Sequence, residues 1–239
     1  MKPVVLLISI FFLLQAITLH AQKKEDYRQQ DGMDIRYLHV MLGKLDAEDS
    51  WTIEDDNGDQ VSADRDDLIY GGVAAQIGKG DGIFQYGFES GGLISFKNDT
   101  SYFIKSDGGA TARLRVKNEL WMLDLSLGGF VSVRPWSWLR VYASAGPSIM
   151  IGSMAIDDDD VSVQPLDGGS IADIEFEPSS RETDVDVGVY GRAGIDIILN
   201  NGFVLGVSAR KVDSEMDFGD NGIIELDDTQ YFLTLGQAF

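Results

Sequence analysis

From about residue 34 onward, apolar and polar positions alternate with a period of two, the spacing that puts side chains on opposite faces of a β-strand. The clearest run is 121–133. Trp121, Leu123, Leu125, Leu127, Gly129, Val131 and Val133 share one face, and Asp124, Ser126, Gly128 and Ser132 share the other. After the break Arg134-Pro135-Trp136-Ser137, Leu139, Val141, Ala143, Ala145, Ile149 and Ile151 alternate with Arg140, Tyr142, Ser144, Gly146 and Ser148. Residues 185–199 repeat the pattern, with Val185, Val187, Val189, Gly191, Ala193, Ile195, Ile197 and Leu199 against Asp186, Gly188, Tyr190, Arg192, Gly194 and Asp196. The turn signal Asn200-Asn201-Gly202 opens a further strand through Phe203, Leu205, Val207 and Ala209. Looser alternation predicts strands near 34–45, 67–78 and 83–97, and a last one holds Tyr231, Leu233, Leu235 and Phe239 on one face. The total is eight strands, an all-β chain.

The connections alternate as well. Those near 79–82, 134–137 and 200–202 are short; those near 46–66, 98–116, 157–183 and 214–228 are long and polar. Short turns on one rim and long loops on the other describe an eight-stranded antiparallel transmembrane β-barrel, with short periplasmic turns and long extracellular loops. The charged face separates this from a soluble ligand-holding barrel. In runs 121–133, 139–151 and 185–199 the apolar face carries no ionised residue, while the other carries Asp124, Arg140, Asp186, Arg192 and Asp196. A soluble barrel reverses that arrangement. An apolar exterior needs lipid, and in lipid only a closed sheet satisfies every strand N–H and C=O. Phe84, Trp136, Trp138, Phe203 and Phe239 lie beside short turns or the C-terminus, where an interfacial aromatic girdle belongs.

The N-terminus supplies the compartment. Met1-Lys2 precedes an apolar run from Val4 to Leu14 and then a small residue, Ala21, followed by the polar stretch from Gln22 to Asp26. This reads as a signal peptide over 1–21, a short periplasmic segment over 22–32 and the barrel over 33–239. The chain has no cysteine, which removes disulfides, thiolate zinc sites and a thiol nucleophile. Its formal net charge of −20 argues against nucleic-acid partners. Of the 39 Asp and Glu, 10 fall in 46–67, 10 in 157–184 and 7 in 213–228, so the acid belongs to the loops. The loop near 98–116 differs: Lys97, Lys105, Arg113, Arg115 and Lys117 suit lipopolysaccharide phosphates or acidic neighbouring loops.

The closing segment from Tyr231 to Phe239, with Tyr231, Leu233, Leu235 and the terminal Phe239 alternating, resembles the insertion signal of bacterial outer-membrane barrels. In layout, residues 33–239 resemble the small eight-stranded outer-membrane family that includes OmpA/OmpX-like and opacity-type porin-family proteins. The resemblance implies residence in the outer membrane of a Gram-negative cell, contact with its lipid and lipopolysaccharide, and insertion by the barrel-assembly machinery. It implies no substrate, because the family shares no catalytic motif.

Eight strands leave an interior that side chains can fill. Counting from the 200–202 turn, Arg192 and Arg210 sit at matching heights on adjacent strands, and Glu89 and Asp124 lie at similar heights elsewhere. Two readings are open: a luminal ion cluster of these four, or scattered hydrated charges. The acidic loops are either solvated surface or, at two places, calcium sites. Asp55, Asn57 and Asp59 offer alternating oxygen ligands, as do Asp217, Asn221, Glu225 and Asp228, although neither run matches the full calcium-loop pattern. No other cofactor is expected. The only histidines are His20, within the signal, and the mid-strand His39, which lacks a suitably placed serine, so no catalytic residue is assigned. The expectation is a non-enzymatic outer-membrane protein serving envelope structure or surface interaction; the alternative is a narrow channel or small-molecule transport across the outer membrane, and a lipid-modifying enzyme ranks behind both.

Overall fold

The computed structural model describes residues 33–45, 51–54, 60–64, 68–80, 82–107, 110–165 and 181–239. The expected signal peptide and the segment 22–32 lie outside the described residues. The strands are β1 (Asp34–Leu45), β2 (Trp51–Glu54), β3 (Gln60–Asp64), β4 (Leu68–Lys79), β5 (Phe84–Asp107), β6 (Ala110–Trp136), β7 (Leu139–Pro165), β8 (Glu182–Ile198), β9 (Phe203–Asp213), β10 (Glu215–Asp217), β11 (Ile223–Glu225) and β12 (Thr229–Ala238).

Eight of them form a ring. β1 pairs with β4, and the pairing continues through β5, β6, β7, β8, β9 and β12 before returning to β1, antiparallel at every step. Closure leaves the wall without a free edge, which is the condition for a sheet in hydrocarbon. The first and last strands make the seam, from Tyr37 opposite Ala238 to Leu45 opposite Gln230. At the short-turn end, the Phe239 amide donates to the Arg36 carbonyl at 3.1 Å and the Ala238 amide to the Gly202 carbonyl at 2.7 Å. The Asn200-Asn201-Gly202 turn forms as its sequence predicts, with Gly202 at a φ of 79° and the Phe203 amide donating to Asn201 Oδ1 at 3.1 Å.

The alternation sorts the side chains as expected. Leu125, Leu127, Val131, Val141, Ile149, Ile195, Leu205, Val207, Leu233 and Leu235 are exposed on the outer face. Trp136 and Trp138 stack at 5.8 Å beside the short turn, also exposed. The 11 residues of β9 match the length a tilted strand needs to cross a bilayer.

The long connections depart from the expectation. The 98–116 region is not a loop: β5 and β6 stay paired from Phe84 opposite Val133 to Asp107 opposite Ala110, forming a long hairpin arm. Its inward positions, Ser101, Phe103, Leu114 and Val116, are buried. That is still a period of two, hidden in the sequence by charged residues at the alternate positions. Parts of the 46–66 and 214–228 connections also form sheet, in the order β10–β11–β2–β3–β5. This head closes on an apolar centre. Trp51 packs edge-on against Phe103 at 4.8 Å and donates its indole N–H to the Asn221 carbonyl at 2.8 Å. Met154, Met216, Phe218, Ile224 and Leu226 complete it.

Glycine permits the close approach of β6 and β7 over the lumen. A Cβ on Gly128 would stand 2.3 Å from the Ala145 carbonyl oxygen and 2.7 Å from the Tyr190 hydroxyl. Gly128→Val is therefore expected to abolish the cold, SDS-resistant band whose mobility changes on boiling. Gly71→Ala, where nothing lies within 4 Å of the new carbon, should keep that band.

Candidate functional site

The inward face is polar in the lower barrel and apolar above, and the polar part is the candidate site. Its charges are balanced. Among the described residues the buried ionised side chains are Arg140, Arg192 and Arg210 with Glu89, Asp124 and Asp196.

At the bottom, the Tyr37 hydroxyl donates to Gln85 Oε1 at 3.0 Å. Above it, Arg140 on β7 and Asp196 on β8 are direct cross-strand partners, with Nη1 to Oδ2 at 2.8 Å. The Arg140 guanidinium lies 3.6 Å from the Tyr37 ring centre and 4.5 Å from that of Tyr142, and it also bonds Gln76. In the middle tier, Arg192 Nη1 donates to Glu89 Oε2 at 3.2 Å and Nη2 to the Tyr142 hydroxyl at 2.5 Å. Glu89 further accepts from Gln76 Nε2 at 2.5 Å and Ser144 at 2.7 Å. In the top tier, Arg210 Nη2 stands 2.7 Å from Asp124 Oδ2, Ser148 donates to Asp124 Oδ1 at 2.6 Å, and Arg210 Nη1 donates to Gln230 Oε1 at 2.9 Å.

His39 joins the two lower tiers. It is stacked between Tyr37 and Tyr142, with Nδ1 3.3 Å from Arg192 Nη2 and Nε2 3.4 Å from Asp196 Oδ2. Arginine can only donate, so Nδ1 accepts and the ring proton sits on Nε2, facing the carboxylate. His39 is thus a fully buried link in the lumen.

The four residues singled out in the sequence are placed as two pairs, Glu89 with Arg192 and Asp124 with Arg210, while Arg192 and Arg210 are themselves register partners. Sequence reasoning left Arg140, Asp196, His39 and Gln76 out of the cluster. The alternation placed Arg140 and Asp196 on the inward face, but the long connection between β7 and β8 hid their register.

The second calcium candidate, Asp217 to Asp228, lies apart from this network. Asp55, Asn57 and Asp59 lie outside the described residues. Asp217 caps the Gly219 amide at 2.9 Å, Asn221 is buried with its amide nitrogen 3.4 Å from the Met154 carbonyl, Glu225 is on β11, and Asp228 is exposed. Among the described residues, no three acidic or histidine side chains converge as a metal site requires.

Replacing one partner of a buried pair strands the other in a low dielectric, at a cost of about 3–5 kcal/mol. Arg192→Leu and Arg140→Leu should each destabilise the barrel by about that much in urea unfolding from lipid vesicles. The double variant Glu89→Gln/Arg192→Leu should cost less than the sum of its single changes.

No protein-family model matches the chain, and no curated protein matches its sequence. Solved structures similar to it include the outer membrane protein OprG from Pseudomonas aeruginosa, at a TM-score of 0.49 and 13% identity over 87% of this chain and 98% of that one. The attachment invasion locus protein Ail of Yersinia pestis aligns at 0.41 and 8% over 85% and 99%, and Neisserial surface protein A at 0.39 and 10% over 87% and 100%. With its own ring of eight antiparallel strands, outward apolar face and polar lower lumen, the chain has the fold of a small outer-membrane β-barrel.

Proposed function

We propose that this protein is a closed, non-conducting barrel of the bacterial outer membrane that works from its outer end, as a surface-interaction and envelope protein. The observation that carries the reading is the filled lumen. Three tiers of paired charge occupy its lower part, and Met41, Leu93, Met122, Met150 and Phe232 are buried within the apolar core. The void bounded by Glu89, Arg192, Arg210 and Tyr190 measures about 10 Å³, room for about one water molecule and no continuous path. An ion crossing this path would displace paired side chains.

The outer end offers what the lumen lacks. Glu215, Asp217, Asp220, Glu225, Asp227 and Asp228 are exposed around a head whose own core is packed, giving an acidic surface on a firm support. Such a surface favours cationic partners, with association weakened by salt. Lipopolysaccharide at the barrel wall and the assembly machinery during insertion complete the proposed partners.

Planar-bilayer recording tests the closed lumen. The wild-type protein should give no stepwise current across the physiological voltage range, and regular conductance steps from it would refute the proposal. Changing Glu215, Asp227 and Asp228 to their amides should weaken binding of a cationic probe such as polylysine at low salt and leave the heat-shifted band in place.

A further inference from the structure

The short-turn end holds a second polar site, which meets the lumen network only at Gln85. A cleft of about 430 Å³ opens between the turn after β4 and the turn joining β6 to β7. Arg36 and Arg134 both line it, each half-buried. Arg36 spends Nε on the Gly78 carbonyl at 3.1 Å, and Arg134 spends Nη2 on the Ser137 carbonyl at 2.8 Å. These bonds fix the two guanidinium groups while leaving further N–H donors on each. Among the described residues neither has a carboxylate within ion-pair distance, in contrast to all three arginines of the lumen.

The walls of the cleft join two environments. Gln85 faces the lumen and is buried, whereas Ile83 and Trp136 are exposed on the outer face. Trp136 stacks on Trp138 at that rim. An anion seated between the arginines can therefore carry an apolar tail onto the outer wall without leaving the cleft. Guanidinium forks match the oxygens of a phosphate, and paired indoles suit the head-group level of a bilayer.

We propose that this cleft is an anion site that receives the phosphate of an anionic phospholipid from the leaflet bounding the short-turn end. The inference rests on the membrane placement proposed above. Bound there, the lipid fixes the depth of the barrel at the rim opposite the acidic head.

Native mass spectrometry of the full mature protein in detergent tests it, with dihexanoyl phosphatidylglycerol, dihexanoyl phosphatidylcholine and inorganic phosphate as probes. One phosphatidylglycerol should be retained per chain, with about tenfold preference over the choline lipid, and Arg36→Gln/Arg134→Gln should lose about tenfold in affinity. Equal retention of both lipids, or unchanged binding by the double variant, would overturn the anion site. Inorganic phosphate binding as tightly as phosphatidylglycerol would overturn the assignment to lipid. The heat-shift assay separates failures: binding lost with the SDS-resistant band intact reports on the cleft, whereas a wild-type protein without that band refutes the barrel placement. If the double variant does not fold, Arg36→Gln and Arg134→Gln singly are read by the same criteria.

Discussion

One constraint governs the lower lumen: an eight-stranded ring has room for side chains and little else, so each charge within it needs an opposite charge within it. Three arginines meet three carboxylates, one pair per tier. Attraction alone does not offset the loss of hydration for a buried pair; the remaining oxygens and N–H groups also need bonds. Here Glu89 gains Gln76 and Ser144, Asp124 gains Ser148, and Arg210 gains Gln230. The same stack specifies register. A slip of one residue would turn Arg140, Arg192 and Arg210 outward to lipid, so the charges select one pairing of the strands.

The fold was legible because its rule is local. In 121–133, 139–151 and 185–199 the two faces differ in charge, and that difference alone distinguishes a lipid-facing wall from a soluble one. Register was legible only across short turns. The 200–202 turn placed Arg192 beside Arg210, and the structure makes them partners. Across the long connection from β7 to β8 no count was possible, so the pairing of Arg140 with Asp196 was missed although both residues were on the inward face. The head was missed for another reason. Phe103, Leu114 and Val116 alternate as strand residues do, but Lys97, Lys105, Arg113 and Lys117 gave their segment the composition of a loop. Trp51, set in an acidic stretch, gave no local sign that it would pack against Phe103.

The two ends of the barrel are chemically opposed. The acidic head stands on a packed apolar core, and the short-turn rim carries Arg36, Arg134 and a stacked tryptophan pair. In the proposed placement the filled lumen keeps the two ends separate, and the wall is a support that holds each surface at its own side of the bilayer.

Because the chain has no cysteine, one introduced thiol reports on one place. Ser144 lies in the middle tier, hydrogen-bonded to Glu89, and Ser137 is exposed at the short turn. The most direct measurement is the rate at which a small charged methanethiosulfonate reagent modifies Ser144→Cys in the folded, membrane-inserted protein, against Ser137→Cys as reference. A closed lumen requires that Ser144→Cys stay unmodified while Ser137→Cys reacts readily. Modification of both at similar rates would mean that solute enters the barrel, and the paired charges would then not be its plug.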